Sequence, residues 1–130
     1  EMLPIANVAI VALGGAMGSL LRYIVGQVGC ISAEKGLGTF IVNVSGCFFI
    51  GVLYVLLSRW EFSQQWRLFL MIGLLGGFTT FSSYVLDAVT MAQSGEIVRS
   101  IGYVLLTNVL GLSAALLGLW VTSYIIKILG

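Results

Sequence analysis

The chain has 130 residues, 59% of them hydrophobic and only 8% charged, with no histidine and a formal net charge of +1. Soluble domains carry about 25% charged residues, so a mean hydropathy of +1.10 marks an integral membrane protein. With no histidine, no paired carboxylates and no nucleophile beside a base there is no constellation for an enzyme, and no nucleic-acid partner is expected.

Charge-free runs cover residues 2–21, 36–58, 68–86 and 100–126, each near or above the ~20 residues that a spanning helix needs. They predict a single all-α domain of four transmembrane helices over approximately 3–27, 37–58, 67–94 and 99–127. Three short connections, 27–35, 59–66 and 94–99, leave no room for a soluble domain. The first run lacks a basic n-region and exceeds a typical h-region, so it is read as a retained span and not as a signal peptide.

Span one carries Gly14 and Gly18 in GxxxG spacing and ends at Arg22. Gly73 with Gly77 repeats the spacing in span three, and Gly111 with Ala115 gives a small-xxx-small pair in span four. Such pairs let backbones approach closely where lipid supplies no hydrophobic drive, and ordinary packing accounts for each of them before a dimer seam does. The two cysteines, Cys30 in a loop and Cys47 in span two, have no CxxC spacing, which gives a transition-metal site or a Cys–His nucleophile nothing to build on.

In span two, Thr39 and Asn43 lie four apart on one face, with Cys47 one turn further. In span four, Tyr103 and Thr107 repeat that spacing, while Asn108 is rotated by about 100° from Thr107. Two stripes of uncharged donors can replace the hydration shell of an anion without binding it too tightly to leave. The alternative is interhelical glue, worth below ~1 kcal/mol per residue.

Span three contains Gly76-Gly77-Phe78-Thr79-Thr80-Phe81-Ser82-Ser83-Tyr84, a run that breaks a helix in mid-membrane. Irregular backbone survives in hydrocarbon only where protein buries it or it lines a site. Beyond the break, Phe81, Tyr84 and Asp87 recur every three residues and share a face if the helix resumes. Aromatic ring edges are electropositive and can hold a small hard anion, whereas carbonyls released from the ladder suit a hard cation such as sodium.

Orientation is balanced. Four spans place Arg59, Arg67 and Lys127 on one face and Arg22, Lys35 and Arg99 on the other, three against three. Basic-residue asymmetry sets topology, so this chain could insert both ways and pair as an antiparallel two-fold dimer; burial of Arg22 or Arg67 would instead leave a weak ordinary bias.

Three motifs in order now carry a match over the whole chain: residues 14–23 (GGAMGSLLRY), 38–43 (GTFIVN) and 76–83 (GGFTTFSS). The chain resembles the Fluc (CrcB-type) family of fluoride channels. The resemblance implies a dual-topology homodimer in a bacterial inner membrane, two antiparallel pores that export fluoride passively, and a structural sodium ion at the dimer interface. By motif position the sodium ligands fall on the backbone carbonyls of Gly76 and Thr79. The fluoride path falls on Asn43, Phe81, Tyr84, Thr39, Ser83, Tyr103 and Thr107, with Arg22 and Asp87 as vestibule or gating groups. Two positions depart from the family: Tyr84 stands where phenylalanine is usual, adding a donor and an acceptor in a dry site, and Asp87 stands where glutamate is usual. A proton-coupled small multidrug-type exporter is the alternative, but it needs a membrane-embedded carboxylate; span one has none, and Asp87 would have to serve. A non-transporting accessory subunit would explain the glycines but not the donor stripes or the break.

Overall fold

In hydrocarbon a long apolar run can satisfy its own backbone only as a helix. The structure, a computed structural model describing residues 3–130, follows that rule. Its helices are α1 (Ile5–Gln27), α2 (Gly29–Ser32), α3 (Leu37–Arg59), α4 (Gln64–Arg67), a π-helical segment (Leu68–Leu75), α5 (Gly76–Phe78), α6 (Phe81–Gln93) and α7 (Ile97–Leu129). Four stretches are long and apolar enough to cross a membrane: Ile5–Gln27, Leu37–Arg59, Gln64–Gln93 and Ile97–Leu129. The third of these is composite, running from α4 through the π-helical segment and α5 to α6.

The turns between spans are set by a few residues. Gly36 adopts φ +80° before α3, and a Cβ there would also press on Met91 and Tyr103. Gly95 takes φ +88° between α6 and α7. The Arg67 guanidinium donates to the Leu57 carbonyl at 2.8 Å, tying the start of the third span to the end of α3. Arg22 likewise donates to the Gly77 carbonyl at 3.1 Å. One cation on each face is thus engaged by a carbonyl, and the balance of basic residues between faces stands at two against two.

Packing falls into two seams. α1 lies against the π-helical segment and α5, and α3 lies against α7, which also contacts α6. In the first seam Gly14 and Gly18 meet Gly73 and Gly77. A Cβ on Gly18 would overlap the Leu74 carbonyl, and one on Gly77 would come 2.5 Å from the Gly15 carbonyl oxygen. The two GxxxG spacings are therefore the two halves of one contact within the chain. In the second seam a Cβ on Gly51 would strike the Ala115 carbonyl and one on Gly118 the Phe48 carbonyl. Gly111 makes only ordinary contact, 3.4 Å to Cys47 Sγ, so the closest approach of α7 is at Gly118 and not at the Gly111 end of the predicted pair.

Few apolar side chains are buried: Val42, Leu57, Leu75, Tyr84, Ala88 and Met91. Buried Ser100 pins α7 to α6 by donating to the Ala88 carbonyl at 2.7 Å.

Candidate ion pathway around the broken helix

The sequence places a break across residues 76–84; the structure confines it to Thr79 and Thr80. Gly76–Phe78 is still helical and α6 resumes at Phe81, while Thr79 has ψ 156° and Thr80 has φ −150° and ψ 122°. Two extended residues would strand their polar groups, and side chains meet them. The Thr80 amide donates to Asn43 Oδ1 at 2.8 Å, and Asn43 Nδ2 donates to the Thr80 carbonyl at 2.8 Å. The Thr80 hydroxyl then serves as the N-cap of α6, accepting from the Ser83 amide at 3.3 Å. Gly46 of α3 gives the break room, since a Cβ there would overlap the Thr79 methyl.

This arrangement has a consequence for two carbonyls. In an uninterrupted α-helix the Thr80 amide would bond the Gly76 carbonyl and the Ser83 amide the Thr79 carbonyl. Both donors are diverted, one to Asn43 and the other to Thr80 Oγ1. Gly76 and Thr79 line a cavity of about 330 Å³ together with Asn43, Gly46, Thr80 and Phe81. Carbonyls released in this way are ligands for a hard, weakly polarising cation. Among the described residues no group of three His, Cys, Asp or Glu side chains could hold a metal ion instead.

A second cavity, of about 310 Å³, is lined by Arg22, Lys35, Thr39, Thr80, Ser83 and Asp87 among others. Thr80 borders both spaces. Asp87 Oδ2 accepts from the Thr39 hydroxyl at 2.7 Å and from the Tyr103 hydroxyl at 3.5 Å. The predicted face of α6 is present as an aromatic ladder. Phe81 and Tyr84 have ring centroids 5.6 Å apart, as do Tyr84 and Tyr103. Phe81 is 76% exposed, whereas Tyr84 is 8% exposed.

The structure thus gathers Asn43, Gly76, Thr79 and Phe81 around one cavity, and Arg22, Thr39, Ser83 and Asp87 around the other. Tyr84 and Tyr103 pack against each other with their rings tilted by 39°. Thr107 is buried, and its hydroxyl has no partner among the described residues. Two residues outside the predicted set hold the site together. Thr80 could have been found from its position, a threonine three residues before Ser83 at the restart of a helix. Asn108 donates to the Tyr84 hydroxyl at 2.8 Å, a contact that depends on how α6 crosses α7 and leaves no mark in either segment alone.

Comparison with known proteins points the same way. Residues 9–119 match the profile of a family described as CrcB-like protein, Camphor Resistance (CrcB). A protein of Helicobacter acinonychis (strain Sheeba) named Fluoride-specific ion channel FluC is 45% identical over 111 residues, covering 82% of this chain and 87% of the relative. A protein of the same name from Paracoccus denitrificans (strain Pd 1222) is 46% identical over 112 residues, covering 85% of this chain and 90% of the relative. One from Helicobacter pylori (strain G27) is 45% identical over 111 residues, covering 82% and 85%.

Proposed function

Because the chain belongs to the CrcB-like family, we propose that it is a fluoride-selective passive channel that exports cytoplasmic fluoride, working as a dual-topology antiparallel dimer in a bacterial inner membrane. The observation that carries this reading is the clamp of Asn43 on Thr80, which opens the third span in mid-membrane and releases the Gly76 and Thr79 carbonyls. Two facts support a second copy as partner. Basic residues are balanced between the two faces, so neither insertion is favoured. Phe81 and Asn108 lie exposed within membrane spans, and an amide facing lipid is costly unless protein covers it.

In such a dimer the Gly76 and Thr79 carbonyls of the two copies would hold a sodium ion; bound there, it supplies a fixed positive charge where the broken helices meet. The chain's own residues supply the path. Arg22 and Lys35 in the second cavity attract an anion from solution. Asn43 is oriented at both ends by Thr80, which leaves one amide hydrogen of Nδ2 to donate to an ion. The hydroxyls of Ser83 and Thr107, the ring edge of Phe81 and the Tyr84 side chain replace hydration water along a narrow route beside Thr39 and Tyr103, whose hydroxyls are held by Asp87, and ions larger than fluoride fit it poorly.

Passive conduction suffices for export. Hydrogen fluoride is a weak acid that crosses bilayers when neutral and releases fluoride in a near-neutral cytoplasm. A negative-inside potential then drives the anion out with about 2.3 kcal/mol per charge per 100 mV. The test is efflux from liposomes containing the purified protein, with chloride as the control and no proton gradient. Fast fluoride release without chloride release is expected. Release only when a proton gradient is imposed would sink the channel reading in favour of the proton-coupled exporter, with Asp87 as its carboxylate.

A further inference from the structure

Tyr84 brings a phenol into the buried part of the aromatic ladder, and the geometry around it decides which way its hydrogen points. Asn108 Nδ2 lies 2.8 Å from the Val104 carbonyl, one turn earlier on α7. A carbonyl only accepts, so this atom is the amide nitrogen and cannot be exchanged with Oδ1. The same nitrogen lies 2.8 Å from the Tyr84 hydroxyl. Its two hydrogens are then both committed, and the Tyr84 oxygen is an acceptor. The single phenolic hydrogen must point elsewhere, and no described residue accepts it. A second unpaired donor lies on the neighbouring helix. Thr107 stands on α7 between Tyr103 and Asn108, two α7 residues that touch Tyr84, and its buried hydroxyl has no partner among the described residues. Buried donors are rarely left without acceptors unless a ligand or water completes them.

We propose that Tyr84 takes the conducted anion on its hydroxyl hydrogen and not on its ring edge, and that Asn108 is the positioning residue that aims this hydrogen. The inference rests on the fluoride-channel reading and deepens it. A hydrogen bond from a phenol to a charged acceptor is stronger than an edge contact, so the site holds the ion longer. Tight holding slows departure, and the pair sets both the affinity and the ceiling of the flux.

The experiment is fluoride flux against fluoride concentration in liposomes for the parent, Tyr84→Phe, Asn108→Ala and the double variant. Tyr84→Phe keeps the ring and its packing, and is expected to raise the half-saturating concentration about tenfold and to raise the maximal flux, the size expected for one hydrogen bond to a charged group. Asn108→Ala is expected to shift half-saturation in the same direction, and to add nothing in the Tyr84→Phe background. Asn108 is exposed in the single chain, so Asn108→Ala removes the contact without opening a cavity around the buried ring, and size-exclusion of the variant as a dimer checks that the copy covering this face is retained. An unchanged half-saturation in both single variants overturns the proposal while leaving the channel intact. An equal effect of Asn108→Ala in both backgrounds overturns the positioning role. A parent that conducts no fluoride overturns the channel reading itself, and this one with it.

Discussion

The two halves of the third span meet their neighbours by opposite means. The half before the break, Leu68–Leu75 with Gly76–Phe78, touches α1 backbone to backbone through Gly14, Gly18, Gly73 and Gly77. The break and the half after it touch α3 and α7 through side-chain hydrogen bonds, from Asn43 to Thr80, Thr39 to Asp87, Asn108 to Tyr84 and Ser100 to Ala88. The first contact depends on shape and admits nothing larger than a hydrogen atom. The second depends on particular donors, and its side chains can change size if the donor stays. One helix can carry a site only because one half of it is held by shape while the other half is free to spend its polar groups.

The largest effect should come from breaking the shape contact. In Gly18→Val the new side chain overlaps the Leu74 carbonyl and crowds the Phe78 amide nitrogen, both backbone atoms that cannot swing away. A loss of about 3 kcal/mol or more is expected in detergent unfolding, at the upper end of overpacking costs. Gly26→Ala, where nothing approaches, should unfold like the parent. Equal stability of the two variants would remove the seam from the account.

Next in size is Asn43→Ala, which strands the Thr80 amide and carbonyl. Each unsatisfied group costs about 1–3 kcal/mol, and the oriented donor is lost as well. Fluoride flux should fall at least about tenfold, a 1.4 kcal/mol effect on the barrier, while the protein still purifies as one species. A variant with parental flux would show that the clamp is packing alone.

A smaller effect belongs to Thr39→Val, which keeps the volume and deletes the 2.7 Å bond to Asp87. Flux is expected to change by a few-fold with little change in stability. The same substitution in an Asp87→Asn background should do less, and full additivity would separate the two residues.

The smallest effect lies outside both halves, at the surface turn before α7. Arg99 donates to Glu96 at 2.7 Å and holds its carboxyl below the ordinary carboxylate range. A depressed folded value contributes stability above the unfolded pKa and loses it as pH falls through the folded one. Both side chains are exposed, so the contribution is minor. Melting curves of Glu96→Gln and the parent should differ slightly near neutral pH and converge in acid; divergence in acid would reverse the assignment.

Much of this architecture is legible in the residues themselves. Four apolar runs, glycines at four-residue spacing and polar stripes on Thr39–Asn43 and Tyr103–Thr107 follow from residue types and helical period. The break shows where that reading stops. Gly76 and Gly77 look like its cause, yet both are helical; Gly77 serves the approach to α1, and the chain opens two residues later, where Asn43 can meet Thr80. The π-helical segment Leu68–Leu75 is likewise silent, because LFLMIGLL carries no apolar period to mark a change of helix type.

Sequence alone determined the class, the number of spans and the family, because hydrophobicity, length and motif order are properties of the chain and need no partner. Tertiary structure alone decided where the third span opens, which glycines touch, and that Asn108 turns the Tyr84 hydroxyl into an acceptor. Those depend on where one helix crosses another, and a hydrogen bond between residues 24 or 37 positions apart exists only once the crossing brings them within 3 Å.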